Sequence, residues 1–205
     1  GELTKLYKFA MPHVKNHSGS NRSKISKSDL QLIRHQYLEY LESLNVSEKI
    51  IIDKMPLNFR FTGFIIAAFP DAKIIHMKRD PMAICWSIYK NFFPGNSYSY
   101  DQDDTASYFG LYENLMEFWN KLYPNKVYDF SYENLTSNQE EETRSLLEYC
   151  GLDWDQNCLD FHSNTTAIRT TSAIQVKQEM YQGSSEAWKK YEAYLQPLLK
   201  GLNYN

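Results

Sequence analysis

The stretch AKIIHMKRDPMAICWS, residues 72–87, constrains the fold more than any other part of the chain. An apolar β-branched run ends in Lys78 and Arg79, and an apolar helical pattern resumes after Asp80 and Pro81. A short apolar run closed by a turn signal reads as a buried strand, and Asp followed by Pro suits the N-cap and first position of a helix. The junction therefore predicts a strand over 72–78 and a helix from Pro81 to about residue 92. A second short run, KIIIDK at 49–54, also reads as a buried strand, and a helical pattern from Asn58 to Ala68, stopped at Pro70, separates the two. Strand, helix, strand, helix at this spacing predicts a parallel sheet covered by helices.

The remaining pattern fits that class. Leu30, Ile33, Tyr37, Tyr40 and Leu41 recur at three and four residues, which predicts an amphipathic helix over 28–44 with Ser28 as its N-cap. Residues 104–122 and 138–150 read as helices, the second closed by Gly151, and KVYDFSYENL at 126–135 reads as a third strand and a turn. Helical patterns resume near 155–161 and 185–200. At 205 residues, with 42% hydrophobic composition, the expectation is one domain over 1–205.

Charge and cysteine usage narrow the function classes. Residues 1–27 hold six Lys/Arg against one acid, and the rest hold sixteen against twenty-four, so an anionic ligand has to be held by local groups. The basic stretch has few interleaved aromatics beyond Tyr7 and Phe9 and reads as a solvated segment, with no nucleic-acid partner expected. No apolar run approaches the roughly 20 residues that cross a bilayer, and no membrane partner is expected. Cys85, Cys150 and Cys158 are odd in number and lack CxxC spacing, which argues against a disulfide framework or a metal site and for a reducing, cytoplasmic location.

Ligands of open α/β sheets bind where strand carboxyl ends meet helix N-termini. Arg79 falls there, and its planar fork of donors matches phosphate or sulfate. Ser87, eight residues on, could reach the same anion if the ligand lies across the helix. The alternative is that Arg79 pairs with a nearby carboxylate and Ser87 faces solvent.

Residues 53–93, DKMPLNFRFTGFIIAAFPDAKIIHMKRDPMAICWSIYKNFF, resemble the sulfotransferases that use 3′-phosphoadenosine 5′-phosphosulfate (PAPS), especially bacterial ones akin to protein-tyrosine sulfotransferases. VYDFSYENL is similar to the family's strand and Tyr-Glu turn, and TSAIQVKQEMYQGSSEAWKKYEAYL resembles its closing cofactor loop and last helix. The resemblance implies a P-loop-like α/β fold and transfer of a sulfuryl group to a hydroxyl, whether of a protein tyrosine, a glycan or a small molecule, without a metal. It assigns the 3′-phosphate to Arg79 and Ser87 and the adenine side to Tyr132, and it places Lys177, Tyr181 and Gly183 in the loop over the nucleotide.

It also implies that Lys54 meets the bridging oxygen between phosphate and sulfate, and that Ser172 helps hold the leaving phosphate oxygen. A fixed ammonium there opposes charge that develops only in the transition state. Glu2, in the opening Gly1-Glu2, matches the family's general base, with His13 and His17 as rivals. The family's first strand and its loop resembling PRSGTT have no counterpart here, and NHSGSNRS at 16–23 lacks a preceding strand. The expectation is an N-terminally truncated, inactive fragment whose free sheet edge forms a homodimer. A non-catalytic nucleotide-binding or protein-interaction module on the same fold is the alternative.

Overall fold

The computed structural model describes residues 8–10, 12, 25–44, 48–91, 93–163 and 179–204. Glu2, His13, His17, Ser172 and Lys177, and the segment 16–23, lie outside the described residues. The chain packs as two compact units, Gly1–Ala72 with Phe118–Lys126, and Lys73–Glu117 with Val127–Asn205.

In the first unit, α1 (Lys27–Ser43) buries Ile33 and Tyr37, two members of the expected stripe. Its N-cap is Ser26 rather than Ser28: the Ser26 hydroxyl accepts from the Asp29 N–H while the Asp29 carboxylate accepts from the Ser26 N–H. This reciprocal pairing satisfies two groups at the helix start, which Ser28, inside the first turn, does not offer. A 3₁₀ turn at Pro56–Phe61 leads into α2 (Thr62–Ala68). The Tyr37 ring meets Phe69 edge-on at 5.4 Å, and its hydroxyl donates to Asp53 at 2.7 Å. Trp119 donates from Nε1 to the Phe59 carbonyl at 2.9 Å, and its ring occupies the space where a Cβ on Gly63 would sit.

Residues 49–54 do not form the expected strand. Ile50, Ile51 and Ile52 are 56%, 47% and 87% exposed. β-Branched residues favour an extended backbone, but a strand needs a neighbour to take its N–H and C=O groups. Among the described residues the sheet has two strands, and this run is not one of them.

The second unit holds that sheet. β1 (Ile74–Lys78) pairs in parallel with β2 (Val127–Ser131), from Ile74 opposite Val127 to Lys78 opposite Ser131. Parallel strands need a long crossover. Here it runs through α3 (Pro81–Tyr89), a 3₁₀ turn at Ser97–Tyr100 and α4 (Gln102–Leu122).

α5 (Tyr132–Ser137) and α6 (Gln139–Cys150) follow β2, and α6 ends at Gly151 with φ 70°, in the left-handed conformation that glycine adopts without strain. A 3₁₀ segment at Ser184–Tyr194 and α7 (Gln196–Gly201) complete the unit. Met82, Ala83 and Cys85 of α3 pack with Ala106 and Phe109 of α4 and with Trp188, Leu195 and Leu198. This core holds α3 from behind and fixes where its N-terminus points.

Opposite the exposed residues of β1 lies a polar seam. His76 of β1 faces Asp129 of β2 across the register, with Nδ1 2.7 Å from the carboxylate, and its Nε2 meets the Tyr112 hydroxyl from α4. Burial first, then the Asp129 and Glu113 charges, push the Tyr112 hydroxyl up to about 12.

Candidate functional site

β1 ends at Lys78, which leaves Arg79 and Asp80 as the link into α3. Asp80 is the N-cap as expected, and both its oxygens are used: Oδ1 accepts from the Ala83 N–H at 2.7 Å and Oδ2 from the Tyr204 hydroxyl at 2.8 Å. That hydrogen bond is the main reason the Tyr204 hydroxyl is pushed up to about 12, with burial adding to it. Pinned on both sides, Asp80 holds the backbone that carries Arg79.

Arg79 does not pair directly with a carboxylate among the described residues. Its Nε donates to the Ser185 hydroxyl at 3.0 Å and its Nη2 to the Ser184 hydroxyl at 3.2 Å. The guanidinium lies over the Tyr132 ring, 4.7 Å from its centroid, and the Tyr132 and Ser184 hydroxyls are 2.8 Å apart. A cation over an aromatic face gains roughly 0.5–2 kcal/mol, enough to orient the side chain without neutralising it. Glu133 stands one step away: its Oε1 accepts from Ser185 at 2.5 Å and from the Asp80 N–H at 3.1 Å. Burial works against ionisation of Glu133, but the bonds from Ser185, from the Asp80 N–H and from its own backbone, with the Arg79 charge, together hold it below the usual carboxylate range.

Of the residues named from sequence, the structure brings Arg79 and Tyr132 together. Ser87 is half-buried on α3, where its carbonyl accepts from the Asn91 side chain at 2.7 Å, and no hydrogen bond links it to Arg79. Gly183 adopts φ 89° as the N-cap of the Ser184–Tyr194 segment, with open space around its Cβ position. Its need for glycine is therefore conformational, and the turn it makes delivers Ser184 and Ser185 to Arg79. Tyr181 is half-exposed and has no bond to this cluster among the described residues. Lys54, in the first unit, is exposed, with no hydrogen bond or ion pair among the described residues.

Sequence reasoning missed Ser184, Ser185 and Glu133. The signals were present, since both serines directly follow Gly183 and Glu133 directly follows Tyr132. Neither pair has a spacing that points to Arg79, which lies more than a hundred residues before the serines and more than fifty before Glu133.

A match to the Sulfotransferase family spans residues 4–156, about three quarters of the chain and including Arg79, Tyr132 and Glu133. The chain belongs to the Sulfotransferase family. Among solved structures, the sulfotransferase domain from the curacin biosynthetic pathway superposes with a TM-score of 0.53 at 16% identity, covering 98% of this chain and 78% of that one. That likeness establishes the sulfotransferase fold, a short parallel sheet with flanking helices. An uncharacterized protein of Aquifex aeolicus (strain VF5) is 33% identical over 168 residues, which are 80% of this chain and 22% of that protein. The chain thus spans about a fifth of the length of that relative. Among its described residues there is no cluster of His, Cys, Asp and Glu suited to a metal, and no helix long and apolar enough to cross a membrane.

Proposed function

We propose that this sulfotransferase takes its sulfuryl group from PAPS and delivers it to a hydroxyl acceptor, with Arg79 receiving the 3′-phosphate of the nucleotide. The supporting observation is the state of the Arg79 guanidinium. It is stacked on Tyr132 and held by two neutral hydroxyls, without a direct ion pair among the described residues. Two of its five N–H groups are engaged, so three are left without a protein partner among the described residues. An arginine held rigid and not directly paired, at a strand end, suits a doubly charged oxyanion that can accept two parallel bonds. Tyr132 would then lie beside the nucleoside that carries the phosphate.

PAPS supplies the sulfuryl group. In the transfer its bond to the phosphate oxygen breaks, a bond to the acceptor oxygen forms, and the acceptor proton leaves to a base. Glu2 is the proposed base, Lys54 and Ser172 the proposed partners of the departing phosphate oxygen, and Ser87, Lys177, Tyr181 and Gly183 further nucleotide contacts. The acceptor is a hydroxyl, of a tyrosine, a glycan or a small molecule.

Calorimetric titration with adenosine 3′,5′-bisphosphate tests the nucleotide half. Each charge-assisted bond adds roughly 1.5–3 kcal/mol, so Arg79→Ala is expected to weaken binding by at least about tenfold per bond lost. Equal binding by the variant, or none by the unaltered protein, would overturn the reading. Transfer of labelled sulfate from PAPS to a panel of hydroxyl acceptors tests the chemistry.

A further inference from the structure

Arg79 presents two edges to its surroundings. The Nε and Nη2 hydrogens on one side form the edge that the two serines fill, and Nη1 with the second Nη2 hydrogen forms the other. The serines differ in what their own protons do. The Ser185 hydroxyl has one hydrogen, and it goes to Glu133 Oε1 at 2.5 Å. Its oxygen is therefore turned, lone pair first, toward Arg79 Nε. Ser184 accepts from Arg79 as well, but its proton is shared with the Tyr132 hydroxyl, where either oxygen can donate.

We propose that Glu133 and Ser185 are positioning residues for Arg79. Glu133 fixes the direction of the Ser185 hydroxyl, Ser185 locks Arg79 Nε, and the guanidinium is thereby aimed with its second edge toward the 3′-phosphate. The ligand part of this inference rests on the nucleotide reading above.

Three observations converge on it. The same Oε1 that takes the Ser185 proton also takes the Asp80 N–H, so one carboxylate oxygen ties the strand-to-helix link to the segment that grips Arg79. The interposed hydroxyl keeps Glu133 off the arginine: a carboxylate paired directly would occupy the bidentate edge and cancel the charge that a dianion needs. The serines also lie beyond residue 156, where the family match ends, so this chain completes the arginine's setting from a segment outside that match.

Two measurements on the full chain test the relay. The first is solvent exchange of the Arg79 Nε–H, followed by nitrogen-15 NMR without any ligand. It is expected to be slow in the unaltered protein and at least about tenfold faster in Ser185→Ala and in Glu133→Ala. Ser185→Thr and Glu133→Gln, which keep the hydroxyl and an acceptor oxygen, should restore the protection. The double variant Ser185→Ala with Glu133→Ala should be no worse than the more severe single one, because both act along one path.

The second is the ratio of affinities for adenosine 3′,5′-bisphosphate and adenosine 5′-monophosphate. Ser185→Ala should lower that ratio by about tenfold, one hydrogen bond's worth, and leave the monophosphate affinity unchanged. Unchanged exchange in Ser185→Ala, additive effects in the double variant, or equal weakening of both nucleotides would each overturn the proposal. If the unaltered protein does not prefer the bisphosphate, the nucleotide reading falls, while the exchange measurement still decides whether the relay exists.

Discussion

Two β-branched runs in this chain end in a cation, and only one of them becomes a strand. IIIDK at 50–54 and IIHMKR at 74–79 look alike in sequence. The second is β1, paired residue for residue with β2, and the arginine that follows it is held by Ser184, Ser185 and Tyr132. The first leaves Ile52 almost fully exposed, and its lysine reaches solvent. The difference teaches that a strand-forming run does not by itself fix the cation that ends it. What fixes Arg79 is a backbone tied down beside the cation and a second layer of side chains that leaves the charge directed but not directly paired.

The sharpest way to break that comparison is to loosen what stands behind Arg79. Met82, the second residue of α3, is fully buried in the core shared with Trp188 and Leu198. Met82→Ala removes its apolar contacts and leaves a cavity, with an expected loss of about 2–5 kcal/mol. Urea denaturation measures it. A loss below about 1 kcal/mol would mean that α3 is not the fixed platform this contrast requires.

A smaller effect probes the electrostatics of the same region. The Glu133 carboxyl lies below its ordinary range when folded because of its hydrogen bonds and the Arg79 charge, although burial opposes this. A depressed folded value means that the group's contribution is complete above the unfolded carboxyl's value, about 4.3, and is lost as pH falls through the folded one. The stability difference between the unaltered protein and Glu133→Gln should therefore hold steady near neutrality and shift against the unaltered protein between about pH 4 and the acid limit. Denaturation midpoints at pH 7 and pH 3 provide the test, and a difference that does not change with pH would contradict it.

The same contrast sets what was legible in the sequence. Helix caps are local, so Asp80, Pro81 and Gly151 could be read from neighbouring residues, and the Asp80 and Gly151 caps stand where expected. Ser28 lost out to Ser26 by two positions because a capping box is decided by which serine has an acidic residue three further on, and Asp29 follows Ser26 at that distance. Strand identity depends on a partner, which a run such as 49–54 does not carry within itself. Arg79 and Tyr132 were legible through their motifs. Ser184, Ser185 and Glu133 reach the arginine only through the fold, by a turn at Gly183 and a helix start at Tyr132. Sequence proximity thus shows residues that carry a local motif sooner than those that hold them in place.

The smallest expected effect is the most direct test of the other half of the comparison. Ile52 is 87% exposed, so truncating it removes almost no buried surface. Stability follows the area withdrawn from water, at roughly 25 cal/mol per Å² of apolar surface, and a side chain already in water has little left to lose. Ile52→Ala is therefore expected to change the unfolding free energy by no more than about 0.5 kcal/mol, the range of ordinary surface substitutions. The same truncation at a buried β-branched position would cost several times as much. A loss above about 1 kcal/mol would show that the run at 50–52 is covered in the folded protein, and the line drawn between the two cation-terminated runs would then disappear.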